Sequence, residues 1–368
     1  MAEKPAEFTL CSYCLKRQGT RVPGLALANE DESCFICEGL SGNLEKTGSK
    51  IVSKLRPFEF HTFSVGLVLP QGVQEREDTL RSALKIRGGE TFKSELSARL
   101  AKAVAKELRG GRRVDRHHPD ATVLVDMEAR GVTIASRPLF LYGKYTKPRG
   151  VAQRRLFCKH CGGRGCEKCR GSGYSRSPSV EGAVSRRLEA ILGSKKFKFT
   201  WFGSEDPESV VFPPGRPMVV ESKNPRTRRV PKTLRLKSGK GGMTVSGVHP
   251  VSSKFEHPRF TFETRAVIKA ESRVSADHVK RLERDMKNAL VRYRNNKGRL
   301  VDKRIYFVRA SARGRKVTAD IKLDGGLPVK RLVSGDAVSP SFAESMGIPL
   351  RCERFDILRV WPEPAKGR

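Results

Sequence analysis

Eight of the nine cysteines in this chain fall into four pairs with the spacing CxxC, and the pairs come in two sets. One CxxC turn brings two sulfurs to a single ion, and a second turn completes the tetrahedral shell of thiolates that zinc prefers. Disulfides, or cysteines that only pack, are the alternative interpretations. Neither set leaves an open coordination position. We therefore predict two structural zinc ions, bound by Cys11, Cys14, Cys34 and Cys37 and by Cys158, Cys161, Cys166 and Cys169.

The strong positive charge of the chain indicates a polyanionic partner. Lys and Arg number 73 against 39 Asp and Glu, a formal net charge of +34. Such a surface attracts phosphates and gains free energy by releasing their counterions. A membrane surface is the competing partner, but no apolar run approaches the ~20 residues of a spanning helix, and residues 1–10 have no signal-peptide pattern. Because thiolate-rich zinc sites suit a reducing compartment, we expect a soluble, cytoplasmic, monomeric protein that binds nucleic acid.

The apolar pattern predicts an α+β multidomain fold. A zinc module (1–45) ends in a polar, flexible segment, and an α/β unit (50–150) follows, with strands at 61–69, 121–127 and 132–135 and a helix at 94–109. A second zinc knuckle (154–176) is predicted on a linker before a larger domain (177–368). In that domain Ser275 caps a predicted helix that reaches about residue 293. Paired strands are predicted at 305–309 and 316–323, a closing strand at 355–361, and loops at 225–242.

Several short stretches, taken in order, resemble one known family. They are residues 11–14 with 34–40, 137–145 with 149–153, the second cysteine set with Gly162, Gly165 and Gly173, then 178–181, 203–206, 215–217 with Glu221, and finally 325–327, Lys330, 334–336 and 352–353. Their combination is similar to the archaeal form of the tenth pseudouridine synthase family, which consists of tRNA enzymes that act in the TΨC loop. The resemblance covers nearly the whole chain.

This resemblance implies a fold and a reaction. Residues 50–150 would be a THUMP-like RNA-binding domain, and residues 177–368 a pseudouridine-synthase-type mixed α/β catalytic domain. The implied reaction isomerises uridine 54, uridine 55 or both in tRNA. It needs an aspartate beside the flipped-out nucleotide, an aromatic or apolar wall and a nearby basic residue, but no organic cofactor.

The family's central motif, Gly-x-Glu-Asp-x-Asp-x-Arg followed by Gly-Arg-Pro, begins here at Gly203. The family's catalytic aspartate, the second of the two, falls on Glu208, with Asp206 as the alternative carboxylate two positions earlier. Substrate-binding roles are implied for Thr264, Arg265, Lys330 and Arg216, with Lys330 as the basic residue of the pocket. Thr264 and Pro328 stand where the family has tyrosines, and Val210 stands where it has an arginine.

These departures leave a second class of function open. The chain could be a non-catalytic tRNA-binding protein or an RNA chaperone on the same scaffold, and a structural ribosome-associated protein is a third hypothesis. In the same way, residues 205–208 are either part of a pocket or only a solvated acidic loop.

Overall fold

The computed structural model describes residues 8–19, 22–42, 44–108, 110–238, 241–252, 259–295 and 298–363. The chain divides into two compact units, and each has a hydrophobic core of its own. Unit 1 consists of Met1–Pro138 with Asn224–Arg228, and unit 2 of Leu139–Lys223 with Arg229–Arg368. Among the described residues, no helix has both the length and the apolar character needed to cross a membrane.

Unit 1 is a small α/β structure. Its elements are β1 (Phe8–Leu10), α1 (Ser12–Gln18), β2 (Leu25–Leu27), α2 (Leu44–Leu55), β3 (Thr62–Val68), α3 (Val73–Ala83), α4 (Phe92–Leu108), β4 (Arg113–Val114), β5 (Ala121–Asp126) and β6 (Gly131–Ser136). Strands β1 and β2 pair in parallel. The larger sheet has the order β4-β3-β5-β6, in which β3 runs parallel to both neighbours and β5 antiparallel to β6. The strands and the helix predicted for this region are confirmed to within about two residues, except that Arg109 lies outside the described residues.

The first cysteine set shares the core of unit 1. Its four buried sulfurs lie in the same apolar cluster as Ile51, Val52 and Leu55 on one face of α2. The sequence predicted a flexible segment after residue 40, but a helix begins at Leu44 because this apolar face closes the core; Asn43 lies outside the described residues. The cysteine set and the following α/β structure are therefore packed as one body.

Unit 2 is built on a long mixed sheet. Its elements are β7 (Leu139–Lys147), α5 (Val180–Leu192), β8 (Lys196–Trp201), β9 (Val211–Lys223), β10 (Thr233–Ser238), β11 (Gly241–Val251), β12 (Phe260–Ala270), α6 (Ala276–Met286), β13 (Leu290–Arg294), β14 (Leu300–Arg313), β15 (Lys316–Asp324), α7 (Val329–Ser334), β16 (Val338–Ser339), α8 (Phe342–Met346) and β17 (Leu350–Pro362). The strand order is β10-β11-β7-β9-β17-β12-β15-β14-β13-β16, with β8 on β9. Among the described strands of this sheet, the one parallel pair joins β17 to β9, at Ile357 and Val211.

Strand β7 places the boundary between the units earlier than the sequence did. It pairs with β9 and β11 inside the large sheet, so unit 2 begins at Leu139 rather than after residue 150 or at residue 177. The second cysteine set consequently lies within unit 2 and not on a linker between domains.

Other differences in unit 2 have local causes. The helix capped by Ser275 ends at Met286, and Leu290, predicted to continue its buried stripe, starts β13 and is 54% exposed. Part of the predicted loop 225–242 is strand, because Leu234 and Leu236 on β10 bury their side chains against the core. The strands predicted at 305–309, 316–323 and 355–361 are confirmed and extend further.

Helix α6 depends on its amino-terminal cap. The Ser275 hydroxyl accepts a hydrogen bond from the His278 backbone N–H at 3.3 Å, and the Ser275 N–H donates to His278 Nδ1 at 3.2 Å. Ser275→Ala should therefore lower the free energy of unfolding of unit 2 by about 1 kcal/mol, measured by chemical denaturation. As a control, Ser311→Ala at an exposed position of β14 should change it by less than about 0.5 kcal/mol. Equal effects of the two substitutions would contradict the capping role.

Candidate functional site

The candidate site is a loop, residues 203–210, that joins β8 to β9 in unit 2. The first residues of β9 are flanked by β7 on one side and β17 on the other. Gly203, at the loop's start, has φ +82°, and a Cβ atom there would collide with the Arg216 guanidinium. Gly215 has φ +95°, and its Cβ would lie 2.9 Å from the Tyr145 carbonyl oxygen. Glycine is thus required at both positions by backbone conformation and close approach.

A buried ion pair holds the base of the loop. Arg216 Nη1 lies 2.7 Å from Glu205 Oε2, and the two side chains are 2% and 0% exposed. The same carboxylate accepts hydrogen bonds from the Tyr145 hydroxyl at 2.7 Å and from Gln153 Nε2 at 3.0 Å. Arg216 also donates from Nε to the Phe202 carbonyl at 2.6 Å. Because a buried charge is tolerated only when it is paired and hydrogen-bonded, this set of contacts fixes the loop's starting point.

Lys147 binds the middle of the loop from the buried side. It is 2% exposed, and its ammonium donates to the backbone carbonyls of Asp206, at 3.0 Å, and Pro207, at 3.4 Å, and to that of Ser209. Burial lowers the pKa of Lys147 from its ordinary 10.5 to about 8, although nearby carboxylates, Glu205 foremost, oppose that shift. Lys147 lies on the buried face of β7, which it shares with Tyr145 and Leu141. The sequence analysis missed this residue, although the alternating pattern of β7 puts a lysine on the buried face.

Asp356 on β17 holds the end of the loop. Its Oδ1 accepts from the Val210 N–H at 2.8 Å, and Arg149 Nη2 lies 3.3 Å from its Oδ2. Arg149 also donates from Nη1 to the Glu208 carbonyl at 2.6 Å. With both ends and its centre bound, the backbone of the loop is held in one defined arrangement.

One exposed carboxylate of this loop meets a cation. Lys330 Nζ lies 2.7 Å from Asp206 Oδ2, and the side chains are 51% and 40% exposed. Lys330 is the second residue of α7, which follows the capping residue Pro328. Two residues that the sequence singled out separately are thus brought into direct contact at the surface. Glu208 is exposed on the same loop and binds Arg149 through its backbone oxygen.

An aromatic side chain borders the loop. The Phe260 ring centroid lies 6.0 Å from that of Phe202, and a Cβ on Gly203 or Gly325 would come within about 3.0 Å of the same ring. Phe260 is half-buried. Phe260 supplies an apolar wall beside the acidic loop. The sequence analysis did not name this residue, and its indirect sign in the sequence was the glycine pair at 325 and 326, where Gly325 leaves room for the ring.

The structure gives other predicted residues different positions. Arg216 is buried and bound to Glu205, and Thr264 is fully buried, where its hydroxyl donates to the Asp356 carbonyl at 2.7 Å. Both stabilise the loop from within, and their contact with substrate stays a prediction. Arg265 is half-exposed and donates two hydrogen bonds of 2.7 Å to Asp320 on the neighbouring strand.

The two cysteine sets each form a group that could hold a metal ion. In each set the four sulfurs lie within 4.8 Å of one another, and the separations include 3.7 Å between Cys11 and Cys37 and 3.9 Å between Cys158 and Cys166. Edges of about 3.8 Å follow from a tetrahedron with metal–sulfur bonds of about 2.3 Å. In the second set, backbone N–H groups of Gly165 and Gly173 point at sulfurs at 3.3 Å. Such donors stabilise the thiolates of the second set. The separations between the sulfurs fit a divalent cation in both sets.

Comparison with known proteins finds one family over most of the chain. The family model described as "Pus10, C-terminal" matches residues 140–360, and the one described as "Pus10 THUMP domain, archaeal" matches residues 48–126. Relatives named "tRNA pseudouridine synthase Pus10" from Nitrosopumilus maritimus and Cenarchaeum symbiosum are each 30% identical to this chain. The alignments cover 95% and 97% of this chain and 94% and 90% of those relatives.

A more distant likeness is found among solved structures. The crystal structure of a Cbf5-Nop10-Gar1 complex overlaps 48% of this chain and 44% of its own matched chain, at 15% identity and a TM-score of 0.30. An overlap of this quality is too weak to argue from.

Protonation of Lys147 should control the order of the loop. Above pH about 8 the neutral amine has fewer N–H donors for its three carbonyls. The exchange rates of the amides in segment 203–210 should therefore rise more with pH than intrinsic amide exchange does. Because the folded pKa lies below the unfolded value of 10.5, the unfolded chain binds more protons between these pH values. The contribution of Lys147 to the free energy of unfolding therefore increases as pH rises through that window. The faster exchange should accordingly be confined to segment 203–210 and should not reflect global unfolding. Hydrogen exchange measured between pH about 7 and about 9.5 tests this expectation.

A pair of substitutions on β7 serves as the control. Lys147→Met should give fast exchange in segment 203–210 at every pH, whereas Lys144→Met, on the opposite face of the strand, should keep the pH dependence of the wild type. An unchanged pH dependence in Lys147→Met would assign the effect to another group.

Proposed function

This chain belongs to the Pus10 family, and from that membership we propose that it is a tRNA pseudouridine synthase that acts on uridine 54, uridine 55 or both in the TΨC loop. The single observation that carries the proposal is the contact of Asp206 with Lys330 at 2.7 Å. It puts a half-exposed carboxylate on a loop whose backbone is bound at both ends, in contact with a cation from α7. A reaction of this kind requires such fixed placement, since misplacement by about 1 Å costs on the order of 100-fold in rate.

Asp206, rather than Glu208, is the reacting carboxylate in this proposal. The family motif places the catalytic residue at Glu208, but the structure pairs Lys330 with Asp206. Lys330 orients the Asp206 side chain, while the Lys147 ammonium holds its backbone carbonyl. Glu208 is fixed through its main chain alone, by Arg149. Its long, exposed side chain therefore has more rotational freedom than the chemistry tolerates.

The reaction is an isomerisation in which the atoms of the uridine are conserved. The bond between ribose C1′ and uracil N1 breaks, the base rotates, a bond forms between C1′ and C5, C5 loses its proton, and N1 gains one. The nucleotide must leave its stack to reach a protein side chain, at a cost of a few kcal/mol. In the proposed site the Asp206 carboxylate lies beside the ribose, and Phe260 provides the apolar wall for the base. No step requires an organic cofactor.

We further propose that both cysteine sets bind zinc as structural ions. The four thiolates of each set complete a tetrahedral shell, which is the composition of structural rather than catalytic zinc sites. The ions would tie the residues around α1 to the core of unit 1, and would hold residues 158–173 together in unit 2.

Substitution at the two carboxylates tests the catalytic assignment. Asp206→Asn should lower turnover of an unmodified tRNA transcript by on the order of 10³-fold or more, because it removes the reacting charge while keeping the side-chain shape. Its affinity for tRNA should stay within a few-fold of the wild type, since phosphate contacts elsewhere supply most of the binding energy. Pseudouridine is mapped by carbodiimide-primer extension, and affinity is measured by filter binding.

Glu208→Gln is the matched control, because it removes the other carboxylate of the same loop. It should keep turnover within about tenfold of the wild type, consistent with an exposed group that does not touch the reacting atoms. Loss of turnover in Glu208→Gln with retention in Asp206→Asn would transfer the role to Glu208. Wild-type protein that binds tRNA but forms no pseudouridine would leave the second hypothesis, a non-catalytic tRNA-binding protein.

Metal analysis tests the zinc proposal. The purified protein should carry about two zinc ions per chain, and Cys11→Ser or Cys158→Ser should each lose one and lower the melting temperature, because metal binding in such sites is coupled to folding. Cys352→Ser, at the buried cysteine outside both sets, should keep both ions. Folded wild-type protein without zinc would refute the proposal.

A further inference from the structure

An aromatic stack lies on the surface of the second cysteine module, which consists of residues 154–176. The rings of Phe157 and Tyr174 are nearly parallel, with an interplanar angle of 13° and centroids 5.6 Å apart. The guanidinium carbon of Arg155 lies 4.3 Å from the centroid of the Tyr174 ring. Phe157 is 65% exposed, and Gly163 lies beside one edge of its ring. The chain thus holds three planar groups together and leaves most of the Phe157 ring in solvent.

The exposed ring is held in place by the backbone around it. Phe157 and Tyr174 form an antiparallel bridge, which the hydrogen bonds from Cys158 N to Gly173 O, at 2.9 Å, and from Ser175 N to Leu156 O, at 2.7 Å, extend on both sides. Arg155 is fixed by Glu181, which accepts from its backbone N–H at 3.1 Å and from its Nε at 3.2 Å. A single exposed apolar residue is common on protein surfaces. A ring oriented by this many contacts is a preorganised surface.

The surroundings of the stack are strongly basic. Residues 154–176 contain seven Lys and Arg residues against one Glu. Six of these basic side chains are exposed: Arg154, Lys159, Arg164, Lys168, Arg170 and Arg176. Four thiolates around one divalent ion would contribute a charge of about −2, so the module stays positive with its metal bound. A polyanion matches this charge, and apolar protein surface or neutral lipid does not.

We propose that this module binds an unpaired nucleobase of RNA, which stacks on Phe157 while the surrounding Lys and Arg side chains contact the adjacent phosphates. Bases that leave their stack are commonly bound by aromatic side chains and guanidinium planes, and this contact is available to every base because each has a π-face. A base on the exposed part of Phe157 would add one planar group to the three that the chain already holds together.

The location of the stack relates it to the candidate site. Gln153, four residues before Phe157, binds Glu205 and the Gly203 carbonyl at the base of the acidic loop. Four residues of extended chain span at most about 14 Å. The base on Phe157 is therefore near enough to belong to the RNA loop that contains the reacting uridine. The choice of tRNA as the RNA rests on the proposed function, whereas the stacking surface rests on the geometry of the module.

Affinity measurements on the full chain test the stacking contact. Phe157→Ala should weaken binding of unmodified tRNA transcript by about tenfold, because stacking on an aromatic side chain is removed. Phe157→Trp should bind as the wild type does, since it offers a larger ring. Leu156→Ala is the matched control, an adjacent aliphatic side chain that is 46% exposed and should leave affinity unchanged. Zinc content and melting temperature, equal in all four proteins, show that the module is intact.

A photochemical experiment identifies the occupant directly. tRNA containing 5-iodouridine should crosslink to a peptide that contains Phe157, and the crosslink should disappear in Phe157→Ala. Equal affinities of Phe157→Ala and Leu156→Ala, together with crosslinks only outside residues 154–176, would overturn the proposal. If the wild type forms no pseudouridine but Phe157→Ala still loses affinity, the proposed function fails and the stacking site stands. If the wild type is active and Phe157→Ala matches it in KM and affinity, the stacking site fails and the proposed function stands.

Discussion

The buried ion pair between Arg216 and Glu205 is the contact on which the candidate site depends. Neither charge has access to water, so each is tolerable only because the other is 2.7 Å away and because Tyr145 and Gln153 satisfy the remaining carboxylate positions. Removal of one partner would leave an uncompensated buried charge, which costs about 3–5 kcal/mol. Gly203 follows from the same pair, since a side chain there would displace the guanidinium, whereas Gly215 is required by the close approach of the β7 backbone at Tyr145.

The loop places a buried structural carboxylate and a half-exposed one at consecutive positions, Glu205 and Asp206. Glu205 points into the core and Asp206 points outward, as successive side chains do in a non-helical chain. Lys147 and Asp356 then bind the backbone on either side of residue 207, so main-chain contacts fix the position of Asp206, and the contact with Lys330 orients its carboxylate. The position of Asp206 therefore depends on residues of β7 and β17.

The sequence predicted those features that depend on local pattern. The CxxC pairs, the strands of unit 1 and the Ser275 cap follow from spacing and periodicity, and the structure has them. It did not predict that β7 joins the large sheet, because its alternating pattern fits either neighbour and only the pairing with β9 decides. In the same way, the motif register alone favoured Glu208, whereas the pairing of Asp206 with Lys330 joins residues more than one hundred positions apart. The burial of Arg216 and Thr264 was not predicted, because sequence carries no information on burial when polar side chains are paired internally.

The two cysteine sets differ in what surrounds them, and this difference bears on their roles. The first set lies inside the apolar core of unit 1, so its surface is occupied by the protein itself. The second set forms a small cluster of its own, with Cys166 only partly buried. A segment of this size cannot bury enough apolar area to fold by itself, and the proposed metal ion would supply the missing stabilisation. Its side chains are consequently released from packing a core. Phe157, which would be expected inside a larger module, can therefore remain on the surface as part of a basic, preorganised contact area next to the residue that binds Glu205.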